Sequence, residues 1–317
     1  MSGSTPPLAF VFPWVLGIFM MIYGASALLI REATIRWKTG PAGVISLGLA
    51  FGILNEGMAA HSLFNPSWPD LGRLAGFGYY GGVNWIWTEW IVPFHAVWSM
   101  AFPILLVRQF WPDIRDRPLV SLRWLALVVP IPFLGAAITT AWFIGYPPTL
   151  VEWMGMGGAL LLLVFLTYHY VPRLRSWRPL GNYVPTPRTA AVVGVLFFLV
   201  GQVGIFSTAG LGLSAAVVFL LVVLLFGAFA LFGTAFRDDR SGERARFAWT
   251  IGGTGFYVAL SPFSEFFLGR AGLVPIDVAF LAFVVWLYRQ RAAGPEGLAG
   301  VPPAGATGEP GAPVGST

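Results

Sequence analysis

Apolar residues recur along the chain in runs of about 20 positions, separated by short links that are polar and rich in arginine. A helix rises about 1.5 Å per residue, so each run can cross a hydrocarbon core roughly 30 Å thick. The pattern predicts an all-α, polytopic membrane helix bundle with nine transmembrane helices. Their predicted bounds are 8–30, 42–64, 83–107, 122–145, 150–172, 189–208, 211–236, 246–268 and 272–289.

The basic residues predict the orientation of the bundle. Of the 19 lysines and arginines, only Arg73 and Arg270 fall in links on the same side as the N-terminus. Positively charged links stay in the cytoplasm. We therefore expect an external N-terminus, a cytoplasmic C-terminus and a multi-pass protein of the cell membrane, that is, the inner or plasma membrane.

Two regions differ in composition. Residues 1–291 hold all the apolar runs and form the predicted transmembrane bundle, whereas 292–317 are rich in Gly, Ala and Pro. The second region has almost no apolar surface to bury, so we expect a disordered cytoplasmic tail.

Overall composition narrows the range of partners. The chain is 56% hydrophobic and 10% charged, against about 25% charged residues in soluble domains. Its net charge of +5 is spread over short links instead of forming the basic patch of a nucleic-acid-binding protein. We expect membrane lipids and a small or lipophilic molecule as partners, and no nucleic acid. The sequence specifies no protein partner.

Three ionisable side chains lie deep inside the predicted membrane helices, away from the helix ends. Glu56 and Glu89 fall about 12 and 9 Å below the predicted outer surface, and His95 falls near the midplane. Ionisable groups at such depth are costly and commonly mark functional sites. We predict that the three share one cavity in the outer half of the bundle, where they transfer a proton or bind substrate.

Other polar and aromatic residues are predicted to bind substrate in the same cavity. Some lie near these carboxyls, and others form a polar stripe on the eighth helix or lie at outer helix ends. The predicted substrate-binding residues are Asn55, His61, Asn84, Trp85, Thr88, Trp98, Tyr257, Ser261, Glu265 and Asp277. Each also has a structural alternative, because polar side chains join neighbouring membrane helices by hydrogen bonds and are solvated near helix ends.

Several kinds of chemistry lack the residues they need. The chain has no cysteine, no HExxH motif and no histidine cluster, so we expect no metal. Its only lysine, Lys38, lies in a predicted cytoplasmic link, which excludes a retinal Schiff base. The aspartate-rich motifs of prenyltransferases, the P-loop and the serine-hydrolase motifs are also absent. We expect no cofactor.

Three classes of function remain, and the sequence favours the first. A permease would bind a small or amphiphilic solute in an acidic, aromatic-lined outer cavity, with proton coupling through a buried glutamate. A membrane enzyme would use Glu and His as acid and base on a lipid or isoprenoid. A partner subunit or sensor would carry out no chemistry of its own.

Overall fold

In a computed structural model, the described residues are 7–176, 179–180, 183–236, 240–269 and 272–292. Nine long helices follow the predicted apolar runs within these ranges. They are α1 (Pro13–Arg36), α2 (Gly40–Ala59), α3 (Trp85–Phe110), α4 (Leu122–Phe143), α5 (Leu150–His169), α6 (Pro187–Thr208), α7 (Ala215–Gly233), α8 (Arg240–Leu268) and α9 (Leu273–Ala292). The predicted tail, apart from residue 292, lies outside the described residues.

The chain is a helical membrane bundle. Eight of the nine helices in the described ranges are long and apolar enough to cross a membrane. The exception, α8, is 29 residues long, but charged residues such as Glu243 and Arg246 lie in its first turns. The ninth crossing and the orientation of the bundle therefore stay predictions.

Small residues bring α2 and α3 into close contact. A Cβ atom on Gly48 would lie 2.7 Å from the Cα of Ala96, and one on Gly52 would lie 2.9 Å from the Cα of Val92. These glycines are four residues apart and share one helix face with Glu56, four residues further on. Glycine at such positions lets membrane helices approach closely. The face that carries Glu56 is thus held against α3.

Glycines also bring α6 and α8 into close contact. A Cβ atom on Gly194 would lie 2.0 Å from the carbonyl oxygen of Trp249, and one on Gly252 would lie 1.9 Å from that of Ala191. Any larger side chain would push the two helices apart, because the nearest atoms belong to the main chain. Both helices reach the central cavity described below.

Four transmembrane helices contain a π-helical segment, in which the hydrogen bonds span one residue more than in an α-helix. The segments are Met20–Gly24 in α1, Ile53–Ala59 at the end of α2, His95–Ala101 in α3 and Val200–Ile205 in α6. In α3 the segment lies between Pro93 and Pro103. Proline has no N–H for the ladder, so the α-helical pattern is already weakened on both sides.

The long connection between α2 and α3 is folded. It contains a 3₁₀ helix (Pro69–Leu74) and a hairpin of two short antiparallel strands, β1 (Tyr79–Tyr80) and β2 (Val83–Asn84). The two-residue turn is Gly81–Gly82, with φ of 59° and 82°, the left-handed values that such a turn needs. Leu71 and Leu74 are fully buried, so the connection packs on the end of the bundle.

The opposite end is held by buried charges on α1. The first helix was expected to end at residue 30, with Arg31 and Arg36 in the following link. The structure corrects this expectation, because α1 continues to Arg36. Glu32, between the two arginines, is fully buried and accepts hydrogen bonds from both. The guanidinium groups therefore need not reach water, and the helix can continue.

Candidate functional site

The cavity wall contains a hydrogen-bonded glutamate–histidine pair. The Nε2 atom of His95 lies 2.7 Å from Oε1 of Glu56, and Asn55 donates to the same oxygen from Nδ2 at 2.8 Å. All three side chains are buried. The structure thus brings together three residues that the sequence analysis placed in the site.

Glu56 and His95 come into contact because of the direction in which side chains point on a helix. Side chains on a helix lean towards its N-terminus. Because α2 and α3 are antiparallel, Glu56 leans back towards Gly52 and His95 leans back towards Val92. Gly52 and Val92 are in contact, so the two side chains meet at that level.

Two serines complete the hydrogen bonding of the pair. Ser62 donates to Oε2 of Glu56 and accepts a hydrogen bond from Nε1 of Trp87 at 3.0 Å. On the other side, Oγ of Ser99 lies 2.8 Å from Nδ1 of His95. The sequence analysis assigned neither serine to the site. Ser99 could have been found from its spacing, since it follows His95 by four residues, whereas Ser62 lies beyond the end of α2 and has no periodic signal.

The π-helical segments surround this cluster. Asn55 and Glu56 lie in the segment of α2, and His95 and Ser99 lie in that of α3. The segment of α1 contributes Tyr23, whose ring centroid is 6.1 Å from that of His95. π-Helical turns occur frequently at functional sites, because they redirect side chains without ending the helix.

The pair borders a cavity of about 1060 Å³ between the helices. Most of the cavity wall is aromatic or aliphatic, and it includes Trp87, Trp98 and Phe94 around the pair. The cavity extends to the folded α2–α3 connection, where Asp70 and Arg73 line it. It therefore runs from the predicted outer end towards the middle of the bundle.

Three more predicted substrate-binding residues line the same cavity. They are Trp98 on α3, Tyr257 on α8 and Asp277 on α9. The rings of Trp98 and Tyr257 are in contact, with centroids 5.2 Å apart. Helices α3, α8 and α9 thus contribute to one wall, although α8 and α9 are far from α3 in sequence.

Glu89 does not share this site. It does not line the cavity, and neither of its buried carboxyl oxygens has a hydrogen-bond partner among the described residues. It follows Trp85 by one helical turn, and Trp85 packs edge-on against Phe219 of α7. Glu89 therefore belongs to the face of α3 that is turned towards α7. The expectation that Glu56 and Glu89 border one pocket needs this correction.

His61, which was also predicted to bind substrate, does not line the cavity. It lies just after α2 with a φ of 55° and is fully buried. Its Nδ1 atom is 2.9 Å from the carbonyl oxygen of Tyr146, and the hydroxyl of Thr140 is 3.1 Å from Nε2. The Thr140 hydroxyl donates to the carbonyl of Met58 at 2.9 Å, and the same carbonyl oxygen lies 3.0 Å from Nε2 of His61. The side chain ties the end of α2 to the α4–α5 region.

Two further predicted site residues complete helix ends. Asn84 accepts from the main-chain N–H of Trp87 at 3.0 Å, as the N-cap of α3, and donates to the carbonyl of Leu74 at 2.9 Å. Glu265 accepts from the main-chain N–H of Val274 at 2.7 Å, at the start of α9. Neither side chain lines the cavity. Their side-chain oxygens accept hydrogen bonds from main-chain N–H groups that have no partner within the helix.

The remaining three predicted residues also lie away from the cavity. Trp85 is partly exposed and donates to the carbonyl of Tyr80. Thr88 and Ser261 donate to carbonyls of their own helices, those of Asn84 and Val258. Such bonds satisfy a hydroxyl group inside a membrane helix without any ligand.

A family model described as an uncharacterized membrane protein family matches residues 1–297. The chain belongs to this family. No curated protein and no solved structure matches the chain.

The chemistry of this family member therefore has to be argued from its own side chains. Within the described part of the chain, no group of three or more His, Asp or Glu side chains could hold a metal ion. The Glu56–His95 contact is short enough for a proton to reside on Oε1 or on Nε2 without any movement of the helices. The arrangement can thus hold a proton between two side chains at the wall of an aromatic cavity.

Proposed function

We propose that this membrane protein is a permease for an amphiphilic cation and that the Glu56–His95 pair exchanges a proton as the solute binds. The observation that carries the proposal is the position of the pair, which is buried yet borders the large cavity. The cell membrane remains the proposed location.

The cavity wall favours a solute with an apolar body. Ligand sites are typically apolar pockets with a few well-placed polar groups, and this cavity has that composition. Aromatic faces also attract cations, at about 0.5–2 kcal/mol for each favourable contact. Within the described residues, the wall contains the carboxyl groups of Glu56, Asp70 and Asp277 but only one guanidinium group, that of Arg73. The balance of charge therefore favours a positively charged solute over an anion.

Proton exchange provides the coupling. A cation that approaches Glu56 competes electrostatically with a proton on the pair, because both favour the same carboxylate. Binding would then release a proton, and release of the cation would restore it. Exchange of this kind allows a proton gradient to drive movement of the solute.

A membrane enzyme is the second candidate. The same contact places a potential acid and base beside Trp87 and Trp98, whose rings could stabilise positive charge on a lipid or isoprenoid substrate. Such an enzyme would convert an added lipid, whereas a permease would leave it unchanged.

The test uses tetraphenylphosphonium as an aromatic cation. Purified protein in weakly buffered detergent should release about one proton for each probe bound, and proteoliposomes should exchange the probe against an imposed pH gradient. Glu56→Gln should abolish both effects. Glu89→Gln is the matched control, since Glu89 lies on α3 but does not line the cavity, and it should retain both.

The proposal is wrong if wild-type protein binds the probe without proton release, or if it binds no probe. Equal loss in the Glu56→Gln and Glu89→Gln variants would also contradict it. Chemical conversion of an added isoprenoid lipid by wild-type protein, lost in Glu56→Gln, would favour the enzyme.

A further inference from the structure

Ser62 and Ser99 lie behind the Glu56–His95 pair. Neither lines the cavity, and both are buried, with 0% and 8% of their surface exposed. Each hydroxyl group contacts the side of its partner that faces away from the other member of the pair. They therefore cannot touch a solute in the cavity, and any effect they have must act through Glu56 or His95.

The hydroxyl group of Ser62 has two acceptors within reach. It donates to Oε2 of Glu56, and the main-chain oxygen of Glu56 lies 3.4 Å from the same Oγ atom. Oγ also accepts from Nε1 of Trp87, which leaves one lone pair for a second donor. When Glu56 carries a proton on Oε2, the carboxyl group can donate to Oγ while the hydroxyl group turns to the main-chain oxygen. Every polar atom then keeps a partner.

Ser99 offers the same reversal to His95. A neutral ring that donates from Nε2 to Glu56 accepts from the Ser99 hydroxyl at Nδ1, over 2.8 Å. An imidazolium ring donates from Nδ1, and the Ser99 oxygen can accept this bond. A hydroxyl group is suited to this position because it is both donor and acceptor, whereas a carbonyl or an ammonium group can serve only one state.

We propose that Ser62 and Ser99 are positioning residues that reverse their hydrogen bonds when the Glu56–His95 pair gains or loses a proton. The carboxyl group of Glu56 and the imidazole ring of His95 then keep a hydrogen-bond partner in both states, which avoids the cost of a buried polar group without one. The inference deepens the proposed function and rests on it, because a pair that never changes its proton count would not need such partners.

The surroundings contain few groups that could take over this role. Tyr23 of α1 faces His95, and Asn55 donates to Glu56. Tyr257 of α8 packs against Phe94, the residue before His95, with ring centroids 6.2 Å apart. Within the described residues, no arginine or lysine forms an ion pair with Glu56, and the ionisable side chain in contact with its carboxyl group is His95. The two serines are thus the partners best able to reverse.

Infrared difference spectroscopy during a pH titration tests the inference without any solute. The carbonyl band of protonated Glu56 is the band that disappears in Glu56→Gln. In Ser62→Ala this band should move to higher frequency, because the protonated carboxyl group loses its acceptor. Ser62→Ala and Ser99→Ala should also lower the melting temperature by similar amounts on both sides of the titration. Ser46→Ala is the matched control, since Ser46 on α2 bonds to Thr167 instead, and the band should not move.

Two results would overturn the inference, provided that the Glu56 band of the wild-type protein is seen to change with pH. One is an unmoved Glu56 band in Ser62→Ala, and the other is a loss of stability in both serine variants on only one side of the titration. If Ser62→Ala does not fold, Ser99→Ala alone decides by the stability comparison. Absence of any Glu56 band at every pH would overturn the proposed proton exchange as well. If the serine variants behave as expected but the wild-type protein does not transport the probe, only the permease proposal is overturned.

Discussion

Replacement of Glu32 tests whether buried charge holds the first helix in place. Oε1 of Glu32 accepts from Arg31 at 2.7 Å and from the main-chain N–H of Leu119 at 2.8 Å, while Oε2 accepts from Arg36 at 3.1 Å. The Arg31 guanidinium also donates to the carbonyl of Arg117 at 3.1 Å. One carboxylate thus joins α1 to the connection between α3 and α4.

The magnitude follows from burial. The Glu32 side chain is fully buried and that of Arg31 is 6% exposed, so removing the carboxylate leaves a buried cation without its counterion. Breaking such a pair costs about 3–5 kcal/mol, which is the expected loss in unfolding free energy for Glu32→Ala. Glu32→Gln keeps one oxygen as an acceptor but loses the charge and replaces the other oxygen with an NH2 donor, so about 1.5–3 kcal/mol is expected.

Reversible unfolding of the purified protein in mixed detergent micelles, at low and high salt, measures these differences. Asp113→Asn is the control, because Asp113 is exposed, and it should change stability by less than about 0.5 kcal/mol. A double-mutant cycle with Arg36→Ala then isolates the coupling between the two side chains. A loss below about 1 kcal/mol for Glu32→Ala would refute the reasoning. So would a loss that disappears at high salt, since buried pairs are little screened.

Three further predictions concern packing, capping and orientation. Gly201→Ala should destabilise the bundle by about 1–3 kcal/mol in the same unfolding assay, because a Cβ atom there would lie 1.8 Å from the Trp90 ring. Gly155→Ala is the control and should leave the stability unchanged, because, apart from the local main chain, no atom lies within 4 Å of a Cβ at that position. Asn84→Ala should cost about 1–2 kcal/mol through loss of the α3 cap, and an unchanged stability would contradict that role. Tyr80→Cys places one thiol in a cysteine-free chain at an exposed site, and an impermeant maleimide should label it on intact cells. Labelling only after permeabilisation would reverse the predicted orientation.

The helices could be predicted because lipid imposes a simple rule. A crossing segment must be apolar and about 20 residues long, and both properties are visible in the sequence. The ends were less accurate. α2 was expected to reach residue 64 but ends at Ala59. Two residues later, His61 has a left-handed backbone conformation, and its side chain contacts Tyr146 and Thr140. Such contacts come from distant parts of the chain and leave no local signal.

The Glu56–His95 contact could be predicted only in part. Depth in the membrane indicated that the two residues are functional candidates, and they do meet. Depth also grouped Glu89 with them, although Glu89 lies on the face of α3 that is turned towards α7. Residues 85–94 are α-helical, so six steps of 100° place Glu89 about 120° away from His95 around the helix axis. Helical phase thus separates two side chains that depth alone had grouped.

Two polar residues near helix ends were predicted to bind substrate but do not line the cavity. Asn84 and Glu265 have the composition of a binding site, but they satisfy main-chain N–H groups. In a membrane protein both uses select the same residue types at the same depth, because unpaired polar atoms are costly there in either case. Only coordinates separate the two uses.

The wide π-helical turns have a consequence for how such a protein can change over generations. One residue inserted into a regular transmembrane helix rotates everything beyond it by about 100° and turns lipid-facing side chains inward. A π-helical turn absorbs the insertion within a single turn, so the rest of the helix keeps its register. The turns that hold Tyr23, Glu56 and His95 are thus places where the cavity wall can be revised one residue at a time. The surface that meets the lipid stays as it was.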